Sequence, residues 1–395
     1  MRSGILASFS SEEYSERIEK VKAKMSSAGI EVLVCSDPAN MNYVTGYDGT
    51  SYYVHQLVLI ILNYPSAIWI GRKMDAEGAR ITTFLSDENI LYYSEDYIDN
   101  PNHHPMEFVS SILVEKGLSG RSIGVEKDCW QFTAKAAEIL YQKLPNAKFV
   151  NAFGLVNNIR LIKSDAEIIY MRIAGEIANM AMDAGIKCIK SGVRDCDVAA
   201  AISHAQFTGT DKYFGDYPAA NPQLPSGAST AAPHITWSGI RYKDSDLTYL
   251  EIAGCHKRYH APLARSVSLG KPSDWVRNLE PIINDGMNAV LETALEGNSC
   301  HDVNLSWQSV LSNSSYSKDS RIGYSVGIGY PPDWGERNVS IRNGEKQILQ
   351  KNMCFHIILG IWSDKIGYEI SETIRINENG PPELLTNYPR KLIIK

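Results

Sequence analysis

Short runs of branched apolar residues alternate with helix-period segments across roughly the first 150 residues, which restricts this part of the chain to folds where helices cover a sheet. Ser10 with Glu13 reads as a capping box, and Tyr14, Ile18, Val21 and Met25 follow at helical spacing until Gly29 ends the helix. Residues 31–35, 57–62 and 67–70 read as strands, the last two separated by a turn at Asn63, Tyr64 and Pro65. Residues 106–115 and 133–144 have helical character and residues 122–125 strand character. We expect a compact α/β domain over residues 1–155.

A chain of 395 residues exceeds the usual single domain, so residues 156–395 are expected to form a second one. Long helices are expected at 165–188 and 192–207, and shorter ones at 275–294 and 302–311. Strand character appears at 247–252, 266–270, 353–359 and 369–376. Periodicity alone fits many α+β folds. In residues 324–337, Gly327, Gly329 and Gly335 together with Pro331-Pro332 predict a rigid loop in place of a regular element. No internal repeat is visible.

Charge and cysteine usage exclude several classes of function. Net charge is −6, with no block of Lys or Arg, so nucleic acid is not expected as a partner. The apolar run 57–70 is interrupted by Asn63 and Pro65 and is too short to span a bilayer; no membrane association is expected. The first residues lack the long apolar core of a secretion signal. Seven cysteines without a CxxC pair read as reduced thiols in a cytoplasmic protein. P-loop, nucleophile-elbow and dinucleotide-loop patterns are missing.

Several stretches carry a family resemblance. Pro225-Ser226-Gly227 through His234, Tyr249 through Arg265, Gly323 through Gly327 and Met353 through Thr373, with Arg160, Lys163, Ser164 and Glu167 leading into them, resemble the methionine aminopeptidase/prolidase/creatinase superfamily. The similarity covers essentially the whole chain. It implies an α/β N-terminal domain followed by an α+β pita-bread catalytic domain. Metal-dependent members hold a pair of divalent ions with two Asp, one His and two Glu. The matching positions here are Glu251, Pro262, Tyr324, Ile358 and Ser371. Proline and isoleucine offer no side-chain ligand, and Tyr and Ser are poor ones beside carboxylate and imidazole. The resemblance therefore points to the superfamily's metal-free branch, with no metal and no cofactor.

Within that frame His234 is the expected acid/base, since imidazole titrates near neutrality. A lone histidine is more often structural, and only its place in the matched motif reverses that preference. His55, His103, His104, His204, His301 and His356 lack such support and read as structural or surface residues. Glu251 replaces the first metal-binding Asp and is expected to act as counter-ion and nucleophile; the plain alternative is a strand-edge Glu without a role. Glu369 and Glu372 compete for a second carboxylate. Strand alternation puts Glu369 on the face of Ser371, whereas the family's Glu-Asp/His-Thr slot favours Glu372. Tyr324, Asp333, Trp334 and Glu336 are expected to contact substrate. So are Asp48 and Tyr52, because the segment holding them resembles one that reaches a neighbouring subunit's site; domain packing is their bland alternative.

The expected activity is metal-independent hydrolysis of a small cyclic amidine in a homodimeric enzyme. Its rivals are a creatinase-like amidinohydrolase, an Xaa-Pro-type peptidase with unusual ligands, and a catalytically dead relative that binds a peptide or protein. A substrate carboxylate would need a donor, which the sequence leaves open among Arg72, Arg241, Arg265 and backbone amides.

Overall fold

The structure, a computed structural model, describes residues 6–395 and divides into two compact units, Met1–Arg160 and Leu161–Lys395. The first unit runs α1 (Ser11–Ser27), β1 (Val32–Cys35), α2 (Pro38–Thr45), β2 (Leu57–Ile61), β3 (Ile68–Arg72), α3 (Ala76–Thr82), β4 (Ile90–Tyr93), α4 (Pro105–Glu115), β5 (Ser122–Val125), α5 (Ala134–Lys143), β6 (Lys148–Asn151) and α6 (Leu155–Arg160). The Ser10 hydroxyl accepts from the Glu13 N–H at 3.3 Å, and Tyr14, Ile18, Val21 and Met25 are buried as their spacing requires. The six strands lie in the order β4-β3-β2-β1-β5-β6. All four residues of β1 are buried, as expected of a strand with both faces covered. Val32 and Val34 share a core with α4 and α5. Helix α2 has no apolar stripe to announce it. Asp37 caps its first turn, and Gly46 ends it at φ 83°, a conformation that suits glycine.

The second unit contains α7 (Asp165–Cys188), α8 (Asp195–Thr208), β7 (Leu247–His256), β8 (Tyr259–Ser268), α9 (Asp274–Thr293), α10 (Cys300–Leu311), β9 (Gly323–Tyr330), β10 (Asp333–Ile341), β11 (Cys354–Trp362), β12 (Gly367–Arg375), β13 (Glu383–Leu384) and β14 (Ile393–Ile394). Ser164 and Glu167 cap α7 reciprocally, and the other carboxylate oxygen of Glu167 accepts from the Tyr259 hydroxyl at 2.7 Å. Helix α7 lies so close to β7 that a Cβ at Gly254 would sit 1.9 Å from the Ala174 carbonyl oxygen.

Strands β13-β12-β11-β9-β8-β14 form one path through an eight-stranded sheet, with β10 added to β9 and β7 to β8. Helices α9 and α10 pack through Leu279, Ile283, Met287 and Trp307 onto Ile357, Leu359 and Ile370. Helices α7 and α8 pack onto Leu250, Ile252 and Leu263. Residues 324–337 are not the expected loop: they form most of an antiparallel β9–β10 hairpin that turns at a cis Pro331-Pro332 bond. At Gly329 a Cβ would meet Trp334 Cα at 2.8 Å, so this glycine permits close strand pairing, not loop freedom. Among the described residues no helix is long and apolar enough to cross a membrane, and none of the seven cysteines is in a disulfide.

Candidate active site

A cavity of about 450 Å³ in the second unit is lined by Glu251 of β7, Tyr324 of β9, Trp334 of β10, Ile358 of β11 and Glu369 of β12. The strand period of two explains the gathering. On β7, Leu250 and Ile252 enter the core under α7 and α8, leaving Glu251 on the opposite face. On β12, Ile370 and Ile374 enter the core under α9 and α10, leaving Glu369 toward the cavity. The β11–β12 register runs unbroken from Cys354↔Arg375 to Trp362↔Gly367. No bulge therefore turns Glu372 inward, and the preference for it over Glu369 is corrected.

Glu251 is 6% exposed and Glu369 1%. The Glu251 backbone exchanges two hydrogen bonds with Gln223, which thereby extends β7's pairing. With its nitrogen turned toward the acceptors, the Gln223 amide donates to Glu251 Oε2 at 3.2 Å and to the Pro233 carbonyl at 2.5 Å. Burial raises the Glu251 carboxyl to about 7. Burial raises Glu369 well above the carboxylate range, the charge of Glu251 adds to this, and Lys318 opposes it. Glu369 Oε1 has no hydrogen-bond partner among the described residues. Lys318 also lines the cavity; burial lowers its ammonium to about 8, against the pull of Glu369. Of the two carboxyls Glu369 is thus the one that holds its proton more tightly, while near neutral pH Glu251 is close to its titration point and Lys318 is cationic.

The positions that the resemblance matches to metal ligands do not assemble a donor set. Trp334 Nε1 donates to the Tyr324 hydroxyl at 2.8 Å; that hydroxyl bonds His356 Nδ1 at 3.1 Å, and His356 Nε2 bonds Ser371 Oγ at 2.7 Å. Burial lowers His356 to about 3, so the imidazole is neutral, and its two nitrogens accept a hydrogen bond from one hydroxyl and donate one to the other. Pro262 contributes only its carbonyl, which accepts from Thr373 Oγ1 at 2.7 Å. Among the described residues no three His, Cys, Asp or Glu side chains converge as a metal site. Chemically, this donor set does not fit a pair of divalent ions.

His234 is exposed and lines both this cavity and a neighbouring one of about 490 Å³, which also shares Ala220, Gln223 and Pro332 with it. Asp333 lines the first cavity, and its Oδ1 accepts from the Gly335 N–H at 2.8 Å. Two expected contacts are redirected. Glu336 does not line the cavity; its Oε2 pairs with Lys163 Nζ at 2.7 Å, both side chains being 1% exposed. Glu372 pairs with Arg265 at 2.5 Å and accepts from Thr386 Oγ1 at 2.7 Å, since its strand parity points it away from Glu369. Asp48 and Tyr52 belong to the first unit, half-buried, where the Gly49 N–H donates to the Tyr52 hydroxyl at 3.4 Å and the Asp48 N–H to Thr82 Oγ1 at 3.3 Å.

Sequence reasoning missed Gln223, Lys318 and Arg321. The last two lie in the polar stretch between α10 and β9, which has no periodicity and reads as a solvated loop. Only the excess of cations near the start of β9 offered a signal.

Family models match this chain over residues 170–378 (metallopeptidase family M24) and 17–162 (creatinase/prolidase N-terminal domain). The chain belongs to the M24 family, and it is a hydrolase with an α/β N-terminal domain and a pita-bread catalytic domain. Ectoine hydrolase of Halomonas elongata is 42% identical over 395 residues, covering 98% of each chain. An uncharacterized hydrolase/peptidase of Sinorhizobium fredii is 37% identical over 387 residues, again covering 98% of each. The crystal structure of a recombinant prolidase from Thermococcus sibiricus matches with a TM-score of 0.84 at 19% identity, covering 98% of this chain and 100% of that one.

Proposed function

We propose that this protein opens the cyclic amidine ring of ectoine, without a metal ion, to N-acetyl-L-2,4-diaminobutyrate. The observation that carries the reading is the pair of buried carboxylates, Glu251 and Glu369, facing a small cavity, with two of the five metal-ligand positions, Tyr324 and Ser371, tied instead into a hydrogen-bonded chain through a neutral His356. The 42% identity to an ectoine hydrolase supports it. An amidinium is planar, cationic and electrophilic at the carbon between its nitrogens. An anionic Glu251 neutralises that charge and attacks that carbon, with Glu369 protonated beside it.

The bond from Glu251 oxygen to the amidine carbon forms first, giving a tetrahedral adduct. His234 delivers a proton to the departing ring nitrogen, and the carbon–nitrogen bond breaks. Water, deprotonated by His234, then attacks the same carbon and releases Glu251 as a carboxylate, so one water is consumed per ring opened. Two lower barriers replace one high one. Free thiols fit a cytoplasmic setting. We further propose a homodimer in which Asp48 and Tyr52 serve the neighbouring subunit's site.

Purified enzyme assayed against ectoine, creatine and an Xaa-Pro dipeptide tests the reading. Ring opening of ectoine alone is expected; turnover of the dipeptide with inert ectoine contradicts it.

A further inference from the structure

None of the arginines left open by the sequence lines the cavity. Arg72 is paired with Glu95 at 2.6 Å, Arg241 donates to the Gly192 carbonyl at 2.7 Å, and Arg265 is buried against Glu372. The cavity nevertheless has a cationic wall. Lys318 and Arg321 both line it, three residues apart on one loop and opposed by Glu251 and Glu369. Lys318 Nζ lies 4.5 Å from the centre of the Trp362 ring, and the Arg321 guanidinium 4.3 Å from the centre of the Tyr324 ring. Both aromatic rings are themselves lining residues. Arg321 Nη1 makes a 3.1 Å hydrogen bond to Ser340 Oγ, which leaves most of the five donors of the guanidinium to other acceptors. Neither cation is within ion-pair distance of a carboxylate among the described residues. Lys318 is half-buried and Arg321 exposed, each against a ring face and neither tied to a carboxylate, so both cations are open to an anionic group of a bound molecule.

We propose that Lys318 and Arg321 form the subsite for the substrate's carboxylate, so that the cavity selects a zwitterion, amidinium at Glu251 and carboxylate at the cationic wall, over a simple cationic ring. This rests on the ring-opening reading above. Asp333 also lines the cavity, with one oxygen accepting from the Gly335 N–H. Arg321 offers a planar fork that matches a carboxylate, while Lys318 supplies a point charge.

Steady-state kinetics with ectoine and with 2-methyl-1,4,5,6-tetrahydropyrimidine, the same ring without its carboxylate, test the assignment; the second compound is followed as substrate or as competitive inhibitor. Wild type is expected to prefer ectoine. In Arg321→Gln and Lys318→Met that preference should fall on the order of 10- to 100-fold each, the usual worth of a charged hydrogen bond, chiefly through KM. Lys318→Arg, which keeps the charge, should recover much of it and guards against a folding defect. An unmoved preference in folded variants overturns the subsite alone. Failure of wild type to open ectoine overturns the functional reading and the subsite with it.

Discussion

A carboxylate placed 6% exposed beside a second one is held in its charged form at a cost, and Glu251 bears that cost because its face of β7 is the cavity wall. Its carboxyl is raised to about 7, above the ordinary value near 4.3. The folded state therefore binds that proton more tightly than the unfolded state. The stability this contributes is complete below the ordinary value and is lost as pH climbs through about 7. Glu251→Gln keeps the volume and removes the charge. It should abolish turnover yet raise Tm by a few degrees at pH 8, with a smaller gain at pH 5; scanning calorimetry at the two pH values checks the sign. Loss of stability at pH 8 would mean the charge is compensated. For wild type, kcat/KM should rise as Glu251 ionises near 7 and fall as Lys318 loses its proton near 8, giving a narrow optimum. A flat profile from pH 6 to 9 would contradict both assignments.

At the scale of elements, strand parity decides which glutamate serves the site. Glu369 and Glu372 are three apart on β12, hence on opposite faces, and the unbroken β11–β12 register fixes which face is which. Glu372→Gln leaves Arg265 buried with one anion missing and should cost about 3 kcal/mol of stability, while kcat/KM of the folded enzyme stays within about threefold. Urea denaturation alongside the ring-opening assay separates the two effects, and a catalytic loss without destabilisation would return Glu372 to the site. The helices α1, α7, α9 and α10 were legible in the sequence because each has a cap and a buried stripe. The β9–β10 hairpin was not, since Gly327, Gly329 and Gly335 serve close packing in the sheet while carrying the composition of a loop. His234 and Glu251 were legible through their motifs. Lys318, Arg321 and Gln223 were not, because their convergence depends on where loops return to the sheet, which no local period encodes.

At the scale of the whole molecule, a homodimer that shares residues across subunits makes a definite prediction. Tyr52→Ala and Glu251→Gln, each inactive alone, should recover part of the wild-type activity when unfolded together and refolded as mixed dimers. A monomer that is fully active at working concentration contradicts the sharing. The central claim is that M24 architecture works here on carboxylates and imidazole in place of its metal pair. Its most direct test is the rate of ectoine ring opening by protein stripped with a strong chelator, with residual metal quantified in the same sample. The account predicts the untreated rate at well under one divalent ion per ten subunits. A rate that collapses on stripping and returns with a stoichiometric divalent metal would contradict it.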